Sequence, residues 1–125
     1  MKRIRLLSLP DPRLDRDDPM YEAALVDYRT LVEAALRNPL DRQSGATITE
    51  MRQSIRVLDA LDTSQNDILE LEDADWQHLR NKVEHMPWAT VDRRILRFCD
   101  DVTEAADAVR DEGLTDRLMN GTLAR

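Results

Sequence analysis

In four separate stretches the apolar residues recur every three or four positions, and that interval confines the chain to a small set of folds. An α-helix turns once per about 3.6 residues, so residues so spaced share one face and need a common cover. Tyr21, Leu25, Tyr28, Val32 and Ala35 make the first stripe, in a helix expected over 20–37. Ile48, Met51, Ile55, Leu58 and Leu61 make the second, and Trp76, Leu79, Val83 and Met86 the third. The fourth, Val91, Ile95, Phe98, Val102, Ala105 and Val109, keeps heptad spacing. Helices of this kind bury their stripes most simply against one another. The pattern therefore predicts a mainly α fold, a small bundle of about four amphipathic helices, with a single helical domain over 1–112 and a C-terminal tail over 113–125.

Boundary residues support this reading. Asp18 and Pro19 suit an N-cap and a first-turn proline, and Pro39 forces Asn38 out of helical geometry. Thr47, with Glu50 three residues on, matches a capping box for the second helix. Asp73 is expected to cap the third helix, with Asp75 in its first turn, where the helix dipole favours negative charge; Pro87 ends it. Thr90 is expected to open the fourth helix, and Gly113 is placed to close it.

Two short stretches have the period of strands instead. In Arg3–Leu9 and in Ile68–Glu72 successive residues alternate between two faces. Lys2, Arg3 and Arg5 in the first complement Glu70 and Glu72 in the second, and opposite charges across paired strands contribute about 0.2–1 kcal/mol each. A two-stranded β-ribbon pairing residues 3–9 with 68–72, beside the helices, is expected.

The charge is unevenly spread. Net charge is −7, yet Val57 to Leu79 contains no Lys or Arg and seven acids: Asp59, Asp62, Asp67, Glu70, Glu72, Asp73 and Asp75. Outside that segment 18 acids face 18 bases, so the acidity is one patch in sequence. Acidic character disfavours direct nucleic-acid binding, which needs clustered bases to displace counterions. The single Cys99 excludes an intramolecular disulfide and fits a reducing compartment. The basic start "MKRIRLLSLPDPRLDRDD" has too short an apolar run for a signal sequence, and no stretch approaches the roughly 18–20 apolar residues of a membrane span. A soluble cytoplasmic protein that makes no membrane contact is expected.

Catalytic chemistry finds little material. His78 and His85 lie two turns apart on one helix face with Lys82 between them, an arrangement that repels a cation; both are expected to be solvated. Cys99 lies beside the fourth stripe and is expected to be a small core residue. The acids lie on caps, turns and outward strand positions rather than in the apolar pocket that general acid–base work needs. No phosphate loop, GxSxG, HExxH or EF-hand spacing is present, and three glycines leave little for a cradle. The expectation is a non-enzymatic protein with no cofactor, no metal and no small-molecule substrate.

Recognition by contact remains. Arg93, Arg94 and Arg97 crowd the start of the fourth helix and Asp100, Asp101, Glu104 and Asp107 follow them, opposite to what the helix dipole prefers. Compensation is expected from the acidic patch of the same molecule, of a neighbouring copy or of a partner. Trp88, directly after Pro87, either staples a turn to the core or anchors an interface. The candidate partner-binding residues are Glu70, Glu72, Asp75, Trp88, Arg93, Arg94 and Arg97.

The stretch "LELEDADWQHLRNKVEHMPWATVDRRILRFCDDVTEA", Leu69 to Ala105, resembles the C-terminal part of small proteins encoded by tailed bacteriophages and prophages. The shared order is a short acidic strand, a helix with a tryptophan, a proline turn, and a helix running into an F-x-D-D-V-like segment. The resemblance implies an accessory protein that works by contact, often in several copies, in virion assembly or in control of phage genes. It would act in the bacterial host cytoplasm or on the virion. The alternative is a regulator or inhibitor whose acidic face covers the basic, nucleic-acid-binding surface of a target. A metal-assisted enzyme would instead need His78, His85 and a carboxylate to converge.

Overall fold

A computed structural model describes residues 1–107, with the side chains of residues 106 and 107 left undescribed; Val109, Gly113 and the expected tail 113–125 lie outside the described residues. Its elements in chain order are β1 (Lys2–Arg5), β2 (Ser8–Leu9), β3 (Val26–Asp27), α1 (Tyr28–Arg37), α2 (Ile48–Asp62), β4 (Ile68–Leu71), α3 (Asp73–His85), α4 (Arg93–Thr103) and β5 (Ala106–Asp107). The fold is mainly α with a small sheet, as the periodicities predict. No helix among the described residues is long and apolar enough to cross a membrane.

The expected ribbon is present over Lys2–Arg5 and Ile68–Leu71 and is antiparallel, with Arg3 opposite Glu70 and Ile4 opposite Leu69; Ser8 and Leu9, expected in the same strand, pair instead with Asp27 and Val26 in a second, two-stranded sheet. Arg3 reaches Glu70 at 3.1 Å across it. Ile4, Leu69 and Leu71 point from the ribbon into the core. The sheet has a third strand that the heptad pattern hid: β5 pairs with the other edge of β1, giving the order β4-β1-β5. Residues 105–107, read as helix from Ala105 and Val109, instead leave α4 at Glu104, the residue that caps it.

The first helix starts later than its stripe suggests. Asp18 does accept a hydrogen bond, from Met20 N at 2.8 Å, but this closes a turn rather than a helix. Val26 and Asp27 are drawn into pairing with Leu9 and Ser8. Helix α1 therefore begins at Tyr28, with Asp27 as its N-cap accepting from Arg29 N. Its end falls where Pro39 requires: Asn38 is extended, and its side-chain amide donates to Ala34 O at 2.9 Å.

Aromatic rings join the helices at the centre. Tyr28 meets the edge of Phe98 at 5.0 Å, and Trp88 meets it from another side at 5.9 Å. Edge-to-face pairs of this kind add about 0.5–1.5 kcal/mol beyond the area they bury. Tyr28 donates its hydroxyl to Asp101 at 2.6 Å, and burial followed by that bond pushes its pKa well above the usual range. Trp76 donates Nε1–H to Val102 O at 2.8 Å, tying α3 to α4. The N-cap of α3 is Glu72 rather than the expected Asp73, which occupies the first helical position with Asp75 close behind.

Candidate functional site

Helix α2 is turned about its axis relative to its apolar stripe. Thr47 caps it as expected, accepting from Glu50 N at 3.1 Å. The reciprocal half of the capping box does not form, because the Glu50 carboxylate turns inward. It accepts from Lys82 Nζ of α3 at 2.6 Å and from Leu40 N at 3.0 Å. Lys82, 2 % exposed, also donates to Asn38 O. One turn further along α2, the Ser54 hydroxyl and His78 Nε2 share a hydrogen bond of 2.8 Å, also buried. A buried charge without a partner costs several kcal/mol, so this polar seam fixes how α2 faces α3. Burial raises the Glu50 pKa, but the Lys82 and Leu40 hydrogen bonds outweigh it and hold the carboxyl below its ordinary value. His78 is lowered, by burial first and by the Lys82 cation second.

The second stripe faces outward as a result. Ile48 is 71 % exposed, Met51 51 % and Ile55 50 %; Leu58 is half-buried, and only Leu61 is enclosed as expected. The inward residues are Glu50, Ser54, Val57 and Leu61. Beside the exposed stripe lies a cleft of about 300 Å³, walled by Leu36, Pro39, Ala46 and Leu58 and floored by Glu50, Ser54 and Lys82.

A smaller apolar patch forms at the start of α4. Trp88 is half-buried and staples the turn after α3 to Phe98, while Val91 and Leu96 project into solvent beside it around a hollow of about 260 Å³. Val91, expected to open the fourth buried stripe, precedes the helix and is fully exposed; Asp92 is the N-cap, accepting from Arg94 N at 2.8 Å. Cys99 sits half-buried at the edge of this patch, its thiol pKa raised by burial and then by Asp100.

The expected charged partners are met elsewhere. Arg94 pairs with Asp92 at 2.8 Å and donates to Leu9 O and Ala24 O, fastening α4 to both ends of the 10–25 segment. Arg97 lies 3.9 Å from Asp101 on its own helix, and Arg93 stands exposed. None of these bonds reaches the acidic segment. Three of its acids are instead answered by other bases, Glu70 by Arg3, Asp75 by Arg56 at 3.2 Å and Asp67 by Arg29 at 3.7 Å. Glu72, like Asp59, Asp62 and Asp73, is exposed.

Of the two imidazoles, only His85 is solvated; its Nδ1 contacts Asn81 O at 2.8 Å. His78 is buried, a correction to its expected place on the surface, and it is packed there because Ser54 supplies the polar partner. No group of three His, Cys, Asp or Glu residues capable of holding a metal exists among the described residues. A serine and an imidazole at this distance are also the pairing of a nucleophile with its base. Among the described residues no carboxylate hydrogen-bonds the ring, and the pair joins α2 to α3. The site is thus an apolar ridge and a cleft above a buried polar seam. No protein-family model, curated protein or solved structure matches the chain.

Proposed function

We propose that the chain is a non-enzymatic protein-interaction module that docks through the outward face of α2, with the patch around Val91 and Leu96 as a second contact. An accessory role in a larger assembly, in the host cytoplasm or on a virion, is the setting that the phage and prophage resemblance implies. One observation carries the reading. Ile48, Met51 and Ile55 are exposed on the same helix that buries Glu50 and Ser54. Clustered exposed aliphatics beside a cleft mark contact sites on soluble proteins. The acidic-face alternative has less support, since Glu70, Asp75 and Asp67 already have arginine neighbours in the same molecule.

A photo-reactive phenylalanine analogue at position 51, on the ridge, tests this in the cell that makes the protein, against the same analogue at exposed Gln77 of α3. Cross-linked polypeptide adducts from position 51 and none from 77 are expected. Adducts from neither position, or equally from both, would overturn the proposal.

A further inference from the structure

The residues along the outer edge of α2 say what kind of surface fits it. Ile48, Met51, Ile55 and Leu58 follow one another at three, four and three residues, the spacing of a two-helix seam. Arg52 and Asp59, both exposed, lie seven residues apart and so on one side of that seam. The other side of the seam is occupied by the protein's own cleft wall. Arg52 precedes Ile55 by three residues and Asp59 follows it by four. A two-fold axis passing beside Ile55 would therefore set Arg52 of one copy level with Asp59 of the other, to within about 1.5 Å along the helix, and do so twice. In a parallel arrangement the two-fold axis would run along the helices and put the two Arg52–Asp59 edges on opposite flanks, so only the antiparallel pair brings these charges together.

We infer that the occupant of this face is a second copy of the chain. The two α2 helices pack antiparallel about Ile55, seam on seam, with reciprocal Arg52–Asp59 ion pairs along the outer edge. This names the partner for the interaction surface proposed above and rests on that reading.

Sedimentation equilibrium of the full chain over a range of concentrations tests it. A concentration-dependent dimer is expected, and Ile55→Arg should give a monomer. Because Ile55 is half-exposed, that variant should keep its far-ultraviolet circular dichroism and, at a concentration where the parent is also monomeric, the parent's urea midpoint, which separates lost pairing from lost folding. Arg52→Asp and Asp59→Arg should each weaken the dimer about tenfold or more. The two together restore opposite charges across the axis, and the double variant should return to within about threefold of the parent. A monomer at every concentration overturns the inference, although cross-links from position 51 to another protein would still uphold the interaction reading. A dimer that survives Ile55→Arg but is lost in Leu96→Arg moves the interface to α4 and also overturns it. If Ile55→Arg dissociates the dimer but the double charge variant fails to recover, the antiparallel pairing is wrong.

Discussion

Helices α1 and α2 pack side by side and each has apolar residues at helical spacing, yet they use them in opposite ways. Helix α1 encloses Tyr28, Val32, Ala35 and Leu36 and leaves Thr30 and Arg37 exposed. Helix α2 encloses Glu50 and Ser54 beside Val57 and Leu61, and leaves Ile48, Met51 and Ile55 outside. Apolar burial is non-directional, worth roughly 25 cal/mol per Å² whichever residues supply it. A buried ion pair is directional, because removing either member strands the other. Where the two compete for one helix, the directional contact sets the rotation. The aliphatics displaced by it become surface that another molecule can cover.

The contrast breaks most completely at Glu50 and Lys82. Replacing either partner alone, by Glu50→Ala or Lys82→Ala, leaves the other buried and uncompensated and should cost about 3–5 kcal/mol, read as a lowered urea midpoint. An apolar double replacement, Glu50→Leu with Lys82→Met, should recover most of that loss. If single and double variants are equally unstable, the pair is not what orients α2.

A matched pair of truncations sharpens the comparison. Leu36 is 3 % exposed at the end of α1 and Ile55 is 50 % exposed in the middle of α2, and they flank the same cleft. Leu36→Ala should destabilise by about 2–5 kcal/mol. At a protein concentration where the chain is monomeric, Ile55→Ala should stay within about 0.5 kcal/mol of the parent. Equal losses would mean that Ile55 belongs to the core after all.

The second helix also marks where sequence reading stops. Fold class, the pairing of β1 with β4 and several helix ends follow from local signals: the alternation of Leu69 and Leu71, the charge match of Arg3 with Glu70, Pro39 after Asn38, Thr47 before its helix. The rotation of α2 does not. Glu50, Ser54, Val57 and Leu61 also lie at four, three and four, so two stripes compete on one helix, and choosing the more apolar one selects the exposed face. Deciding between them requires knowing that Lys82, in the middle of the third stripe between Leu79 and Val83, is buried and needs a carboxylate. That partner lies 32 residues away in sequence. β5 was hidden in a similar way, because Ala105 continues a heptad that the chain abandons at Glu104 to pair with β1. Arg94 is expected to meet an acidic patch or a partner, and nothing local to it indicates that it serves the carbonyls of Leu9 and Ala24.

The smallest effect belongs to the second contact in the polar seam, and acid reveals it. The folded state lowers the pKa of His78 below the ordinary 6.5, chiefly by burial, so the unfolded chain takes up a proton there first. Stability should accordingly be level above about pH 7 and fall as the pH drops below 6.5, until the folded ring itself protonates. Glu50 contributes in the same direction but further down. Its carboxyl is held below 4.5, so its share is present above that value and is lost as the pH falls through the lower, folded pKa. Urea midpoints measured between about pH 8 and pH 5 in the parent and in His78→Gln, which keeps an acceptor for Ser54, isolate the imidazole. The parent should lose stability across that interval while the variant loses less, since His85 is present in both proteins. Parallel curves would show that the Ser54–His78 contact does not distinguish the protonation states of the ring. The rotation of α2 would then rest on Glu50 and Lys82 alone.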